Sequence, residues 1–289
     1  MSFFHVIVLA IVQGFAELLP VSSSAHVVVA EKIMGLDPSS PPMTLLLVML
    51  HTGTMFAVIV YFWRQWRETY FQNWASFKKS AGLVILATIL TGVIGEAMIK
   101  VIEKTAFRGR PHAEIEDLFS HLELIAPALA IVGILILIAG VRERRNRTED
   151  SRASTDLNVK QAGIIGAVQG LCLPFRGFSR SGATISTGML MGVMKARAES
   201  FSFALAVVLT PAAVGREAMR LMQAEHASGT GAFASAAFPS LLGAVFAFLA
   251  GLVALRWLSK WLERGRWYLF GIYCLVAAAI VTVLYRIGY

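Results

Sequence analysis

Six long apolar stretches are the feature that most limits what this chain of 289 residues can form. Each approaches or exceeds the roughly 20 residues that an α-helix needs to cross a lipid bilayer. They span approximately residues 43–63, 80–102, 124–141, 200–222, 236–258 and 267–287. With 56% hydrophobic and 15% charged residues, the chain is too apolar for a water-soluble domain. The sequence therefore predicts an all-α integral membrane protein with about six transmembrane helices, of which the third and fourth carry Pro127 and Pro211 as expected sites of kinks or ends.

Two further apolar stretches, near residues 3–19 and 161–175, are too short to cross a bilayer. Each runs into a proline, then a Ser-rich or Gly-rich turn, and then another apolar run. This pattern predicts two re-entrant helix-turn-helix hairpins, over residues 3–34 and 161–196. Non-helical backbone at membrane depth is tolerated only inside protein or beside a watery cavity, so both turns are expected at an internal site.

A secretory signal peptide is the simpler interpretation of the N-terminus, since an apolar run ends near Ser24 and Ala25. Residues 1–5 contain no lysine or arginine, however, and Gln13, Glu17 and Pro20 interrupt the apolar run. A membrane hairpin is therefore favoured.

The two short stretches resemble one another. A weak sequence similarity links three short segments of each stretch. The first stretch has Val12-Gln13-Gly14, Leu19-Pro20 and the serines of the first turn, and the second has Val168-Gln169-Gly170, Leu173-Pro174 and Ser179-Arg180-Ser181. A hairpin followed by three spans would then occur twice, with residues 1–141 and 161–289 as the two repeats of a single membrane domain and residues 142–160 as a polar linker. An odd number of crossings between the hairpins predicts inverted topology.

Lysine and arginine residues are distributed unevenly between alternate loops. One set of loops and span ends carries 16 of them, in the ranges 64–79, 142–160, 195–197 and 256–266, and the opposite set carries 5. The richer set is expected in the cytoplasm. Since the basic residues are scattered among membrane loops, a nucleic-acid partner is not expected.

Cys172 and Cys274 lie far apart in apolar stretches and indicate neither a disulfide framework nor a metal site.

The first turn combines an acid with hydroxyls and an imidazole. Gln13 and Glu17 are four residues apart and share a helix face. Ser22, Ser23 and Ser24 suit the start of a second half-helix, and His26 lies on a face near the first two serines.

The second turn, Ser179-Arg180-Ser181-Gly182-Ala183-Thr184, adds a guanidinium and more hydroxyls where another half-helix begins. Helix N-termini and arginine are phosphate-binding elements. A serine, Arg180 and the pair Glu17 and His26 fit the nucleophile, charge stabiliser and proton carriers of phosphoryl transfer. Ionisable groups at membrane depth are costly and usually functional. His51 and Glu96 lack a surrounding motif and are expected to serve helix packing or helix ends.

The run Gln13-Gly14-Phe15-Ala16-Glu17-Leu18-Leu19-Pro20-Val21-Ser22-Ser23-Ser24-Ala25-His26 resembles the first signature of the undecaprenyl-diphosphate phosphatases of the bacitracin-resistance type. The run Gly177-Phe178-Ser179-Arg180-Ser181-Gly182-Ala183-Thr184 resembles the second, and the likeness extends over nearly the whole chain. It implies a bacterial inner-membrane enzyme, dependent on Mg²⁺ or Ca²⁺, that converts the C55 diphosphate lipid to its monophosphate for cell-wall synthesis.

The resemblance and the residue chemistry together define the candidate site. The catalytic candidates are Glu17, Ser22, Ser23, His26 and Arg180, with Ser23 preferred as nucleophile and Ser22 in reserve. The substrate-binding candidates are Gln13, Ser24, Ser179, Ser181, Thr184 and Arg176. Glu17 is the metal-binding candidate, and the site is expected to face the periplasm.

Three departures from the family pattern bear on this assignment. Gln13 stands where a glutamate is common, which leaves Glu17 as the one carboxylate of the motif. Ala25 replaces the usual glycine before His26, so a positive φ angle there would be less accessible. The turn through Arg176 is longer than the compact Pro-Gly-Phe form, which makes Arg176 a candidate second phosphate contact.

A flippase for a polyprenyl phosphate is the alternative function, because inverted repeats with broken helices are transporter architecture. The serine, acid and histidine of the first turn favour an enzyme, since transport needs no nucleophile. The sequence leaves open whether the chain forms a homodimer.

Overall fold

The computed structural model describes residues 2–37, 40–106, 122–146, 156–175, 177–228, 232–262 and 266–287. Apart from an isolated bridge at Val193, the regular secondary structure in these residues is helical. The ten helices are α1 (Phe3–Leu18), α2 (Ser23–Ile33), α3 (Pro41–Tyr70), α4 (Trp74–Ala106), α5 (Leu122–Asn146), α6 (Val159–Cys172), α7 (Arg180–Leu190), α8 (Lys195–Ser228), α9 (Ala232–Leu262) and α10 (Tyr268–Arg286).

Six of these helices, α3, α4, α5, α8, α9 and α10, are long and apolar enough to cross a membrane, as predicted. The helices continue through Pro127 in α5 and Pro211 in α8, so neither proline ends its span. Each proline removes one backbone hydrogen bond, which membrane helices tolerate when neighbouring groups compensate. The predicted linker begins later than expected, because residues 142–146 extend α5.

The outward faces of the spans are apolar. On α4, Ile85, Ile89 and Val93 are each more than half exposed, and on α9 the same holds approximately for Leu249 and Val253. Such a surface would be unfavourable in water but matches the hydrocarbon core of a bilayer. Together with the six apolar helices, it identifies a multi-pass membrane protein.

Small residues allow the helices to approach closely inside the bundle. A Cβ atom at Gly14 in α1 would lie 2.5 Å from the Cβ of Ala250 in α9, and one at Gly170 in α6 would lie 2.8 Å from the carbonyl oxygen of Thr91 in α4. Close backbone contact of this kind is the main source of helix association in lipid, where burial of apolar surface contributes little.

The two short helix pairs, α1 with α2 and α6 with α7, meet inside the bundle. The hydroxyl of Ser181 in α7 donates to the carbonyl oxygen of Leu19 at 3.4 Å, and the thiol of Cys274 in α10 donates to the carbonyl oxygen of Pro20 at 3.5 Å. The first contact brings the turn after α1 against the start of α7, although the two segments are about 160 residues apart in sequence, and the second brings the same turn against α10.

Candidate active site

The turn between α1 and α2 is strained at Ser22. Its φ angle is 68°, and it is the one non-glycine residue among those described that has a positive φ. Ser22 is the N-cap of α2, with its Oγ accepting from the backbone N–H of Ala25 at 3.4 Å. Ala25 itself is helical, so the alanine in place of glycine carries no backbone strain. Strain of this kind costs on the order of 1–3 kcal/mol and is concentrated at functional sites.

Glu17 is the centre of the polar cluster. Its Oε1 accepts from Arg180 Nη2 at 2.6 Å. Its Oε2 accepts from Ser23 Oγ at 2.5 Å and from Gln13 Nε2 at 3.0 Å. The side chain of Glu17 is only 12% exposed, so these contacts replace the water that the carboxylate would otherwise need.

Arg180 is placed by the second turn. Gly177 has a φ of 102°, a conformation that glycine adopts without strain. Ser179 then caps α7, its Oγ accepting from the backbone N–H of Gly182 at 3.2 Å. Arg180 is the first residue of α7, so its guanidinium extends from the positive end of a helix dipole toward Glu17.

His26 lies beside this cluster rather than in it. Its Nδ1 is 2.7 Å from the carbonyl oxygen of Ser22, and its Nε2 is 2.7 Å from the hydroxyl of Tyr273 in α10. A carbonyl can only accept, so Nδ1 is the donor and Nε2 is left to accept from Tyr273 in the neutral ring. The contacts of His26 in this structure are therefore with Ser22 and Tyr273, and Glu17 is the group that accepts from Ser23.

Other predicted residues hold the turns in place. Thr184 is fully buried, donating to the carbonyl oxygen of Arg180 at 2.8 Å and lying 2.6 Å from the hydroxyl of Ser202. Its position therefore supports the first turn of α7 instead of facing open space. Ser24 lies 3.4 Å from the Ser22 hydroxyl. Arg176 lies outside the described residues.

His51 and Tyr273 were missed as site residues. His51 was expected to serve helix packing or a helix end, and the structure in addition places its Nε2 3.4 Å from Glu17 Oε2. Its Nδ1 contacts the carbonyl oxygen of Leu47 at 2.8 Å. His51 belongs to a long apolar helix, and only the packing of α3 against α1 brings it to the acid, so no local motif could reveal it. The same is true of Tyr273 in the last span.

A pocket opens beside Glu17, His51 and Arg180. Its remaining walls come from α1, α3 and α8 and are largely apolar: Leu18, Thr54, Met55, Val58, Phe203, Ala206, Val207 and Thr210. The pocket is small, at about 20 Å³, and joins a charged end to a largely apolar gap between α3 and α8.

The cluster offers few free donor atoms to a divalent cation, because both oxygens of Glu17 already accept hydrogen bonds. No group of three histidine, cysteine or acidic side chains with metal-binding geometry occurs in the described part of the chain. Glu17 provides one carboxylate, and the Oε1 of Gln13 is a buried oxygen without a hydrogen-bond partner. Mg²⁺ is commonly bound through one or two carboxylates, water and substrate phosphates, so a cation here would have to be held largely by its substrate.

Comparison with known proteins identifies the family of the chain. The family model described as "Bacitracin resistance protein BacA" matches residues 6–280. "Undecaprenyl-diphosphatase 2" of Acinetobacter baylyi is 57% identical over 288 residues, covering 98% of each chain. "Undecaprenyl-diphosphatase" of Rhodopirellula baltica is 32% identical over 283 residues, covering 97% of each chain. The chain therefore belongs to the bacitracin resistance protein family, as the two turn motifs indicate.

Proposed function

We propose that this protein hydrolyses undecaprenyl diphosphate to undecaprenyl phosphate and inorganic phosphate. The observation that carries the proposal is the 2.5 Å contact in which Ser23 Oγ donates to Glu17 Oε2, beside Arg180 and an apolar cleft. It joins a nucleophile, a proton acceptor and a cationic group in one cluster. Relatives named as undecaprenyl-diphosphatases, at up to 57% identity, support the same activity.

The reaction proceeds in two steps. Ser23 Oγ attacks the terminal phosphorus, its proton passes to Glu17 Oε2, and the bridging P–O bond breaks to release undecaprenyl phosphate. Water then attacks the phosphorus of the phosphoserine and the bond between Ser23 Oγ and phosphorus breaks. Glu17 returns its proton to Ser23 Oγ, and the phosphate leaves with the oxygen and protons of the water as inorganic phosphate. Arg180 and the N-terminus of α7 stabilise the negative charge on the transferred group.

Ser23 is a better nucleophile than Ser22 in this arrangement. Ser22 Oγ is used as the cap of α2, whereas Ser23 Oγ is directed at a carboxylate that can take its proton. We assign His26 a second proton-carrying role near Ser22. Gln13, Ser24, Ser179, Ser181 and Thr184 position these groups or the diphosphate.

A divalent cation, Mg²⁺ or Ca²⁺, would be held by Glu17 and Gln13 together with the phosphates of the substrate. When bound, such a cation supplies charge neutralisation for the diphosphate. The polyprenyl tail would pass between α3 and α8, whose apolar lining favours a lipid, and the gap of about 20 Å³ would have to widen to admit it.

The two halves of the chain form inverted repeats, 1–141 and 161–289, each beginning with a re-entrant helix pair. Equivalent glycines support the relation: Gly14 packs against Ala250 and Gly251 of α9, and Gly170 packs against Ile94 and Gly95 of α4. Gln13 is followed four residues later by Glu17, whereas Gln169 is followed four residues later by Leu173. Only the first repeat therefore provides the acid. The distribution of basic loops favours the inner membrane with the site facing the periplasm.

Purified protein in detergent tests the activity. We expect release of inorganic phosphate from undecaprenyl diphosphate, stimulated by Mg²⁺ or Ca²⁺ and lost in Ser23→Ala, with Ser22→Ala retaining more activity as the neighbouring control. A folded wild type that binds the lipid and releases nothing would contradict the proposal and leave the flippase alternative. The contact between Ser23 and Glu17 favours the phosphatase, because transport requires no activated serine.

A further inference from the structure

Helix α10 contacts the strained first turn through two adjacent residues. The hydroxyl of Tyr273 lies 2.7 Å from His26 Nε2, and the thiol of Cys274 donates to the carbonyl oxygen of Pro20 at 3.5 Å. In sequence, the two contacted residues of the turn lie on either side of Ser22, whose φ angle is 68°. The last span therefore holds the turn both before and after its strained residue.

The imidazole of His26 links Tyr273 to that strained residue. Its Nδ1 is 2.7 Å from the carbonyl oxygen of Ser22, and the same carbonyl accepts from the backbone N–H of His26 at 3.3 Å. Since a carbonyl only accepts, Nδ1 carries the ring hydrogen, and in the neutral ring Nε2 accepts from the Tyr273 hydroxyl. Both ring nitrogens thus have a partner, which fixes the tautomer and the orientation of the ring.

Packing between α2 and α10 supports this pair. The rings of His26 and Tyr273 are stacked, with centroids 5.7 Å apart and an angle of 12° between their planes. Beside them, Ala25 and Val28 of α2 belong to one buried apolar cluster with Ala278 of α10. The apolar contacts hold the two helices together, and the Tyr273 hydroxyl adds a directional contact to the imidazole.

We propose that Tyr273 is a positioning residue for the nucleophile, Ser23. Its hydroxyl fixes His26, whose Nδ1–H holds the carbonyl of Ser22 in the left-handed conformation, and Ser23 follows as the first residue of α2. In that position Ser23 Oγ reaches Glu17 Oε2 at 2.5 Å. Reacting groups must be closely placed, and strained backbone persists only where surrounding contacts hold it. This role for Tyr273 rests on the proposed phosphatase function.

The proposed diphosphate contacts belong to the other short helix pair. Arg180 begins α7, and its guanidinium contacts Oε1 of Glu17, whereas Ser23 contacts Oε2. Loss of the Tyr273 hydroxyl leaves Arg180 and the N-terminus of α7 in place, so it should slow phosphoryl transfer without weakening substrate binding. Because the hydroxyl acts through the imidazole, removing both groups should cost no more than removing the imidazole alone.

Kinetics of purified variants in detergent test this role. Tyr273→Phe keeps the ring that stacks on His26 and removes only the hydroxyl. We expect kcat for phosphate release from undecaprenyl diphosphate to fall about fivefold, the effect of one neutral hydrogen bond, with KM within about twofold of wild type. Tyr285→Phe is the control on the same helix, since the two tyrosines are similarly exposed at 48% and 46%, and it should match wild type.

Amide hydrogen exchange provides a measurement that needs no activity. The backbone N–H groups of Ala25 and His26 donate to the Oγ and the carbonyl oxygen of Ser22, so their exchange reports on the turn. We expect Tyr273→Phe to speed this exchange about fivefold and to leave exchange at the start of α7 unchanged. In a His26→Ala background, Tyr273→Phe should change neither the exchange nor the remaining kcat, and exchange carries the comparison if that background is inactive.

Unchanged kcat and unchanged exchange in Tyr273→Phe would overturn the proposal. Equal effects of Tyr273→Phe in the wild-type and His26→Ala backgrounds would also overturn it, because the hydroxyl would then act on another group. A rise in KM at constant kcat would make Tyr273 a substrate-binding residue instead. Failure of the phosphatase proposal would look different, since the wild type would release no phosphate while exchange in the turn still depended on Tyr273 through His26.

Discussion

Ser23 and Arg180 contact opposite oxygens of the same carboxylate, that of Glu17, from equivalent positions in the two short helix pairs. Each is the first residue of its helix, directly after a serine N-cap. The weak sequence similarity aligns the two residues, so corresponding positions supply the hydroxyl on one side and the guanidinium on the other. This convergence places both helix N-termini at one point, where an anionic group is favoured.

Replacing the acid is expected to remove most of the activity. Glu17→Gln keeps the shape of the side chain but cannot accept the proton of Ser23, so we expect kcat to fall by about 100-fold or more. Phosphate release from undecaprenyl diphosphate measures this. Glu96→Gln is the control, since Glu96 pairs with Lys100 on the exposed side of α4 and should leave kcat unchanged. Similar kcat values for Glu17→Gln and wild type would exclude Glu17 as the proton acceptor.

Arg180 is not expected to be replaceable by lysine. Lysine keeps the charge but lacks the planar fork that contacts Glu17 and a phosphate at the same time. We expect Arg180→Lys to raise KM for undecaprenyl diphosphate about tenfold and to lower kcat as well. Arg64→Lys changes an exposed arginine that pairs with Glu68, and it should behave as wild type. An unchanged KM in Arg180→Lys would argue against a direct phosphate contact.

Two adjacent residues of α8 face different surroundings, one the cleft and the other the outer surface. Val207 lines the pocket, whereas Val208 is half exposed on the outside. Val207→Trp would narrow the gap beside Glu17, so it should lower kcat/KM for undecaprenyl diphosphate by about tenfold or more. Val208→Trp should leave kcat/KM unchanged. An unchanged kcat/KM in Val207→Trp would place the tail elsewhere.

Close helix packing makes Gly14 sensitive to even a single methyl group. The Cβ of Gly14→Ala would meet Ala250 at 2.5 Å and the Ala247 carbonyl at 3.0 Å, so α1 or α9 must shift. We expect a loss of about 1–3 kcal/mol in stability and a lower thermal unfolding temperature in detergent. Gly92→Ala is the control, because its Cβ meets nothing within 4 Å. Equal unfolding temperatures would indicate that the α1 and α9 contact is looser than described.

Several local features were predictable because each depends on residues close in sequence. The six spans follow from apolar length, and all six are present as helices. The ends of α1 and α6 lie within about three residues of the predicted ends, since Pro20 and Pro174 stop the helices in both cases. Pro127 and Pro211 do not mark helix ends, because a proline inside a long helix is tolerated when surrounding contacts compensate for one lost hydrogen bond.

By itself the sequence determined that the chain is a helical membrane protein. It also determined that the acid, the serines and the arginine lie in two turns. Both follow from residues that are neighbours in the chain, because apolar length and turn chemistry are local properties. Only the tertiary structure decided which of these groups meet. Glu17 and Arg180 are 163 residues apart, and His51 and Tyr273 belong to spans that carry no motif. Their positions depend on how α3, α7 and α10 pack against α1 and α2, and such packing is set by the shapes of whole helix faces.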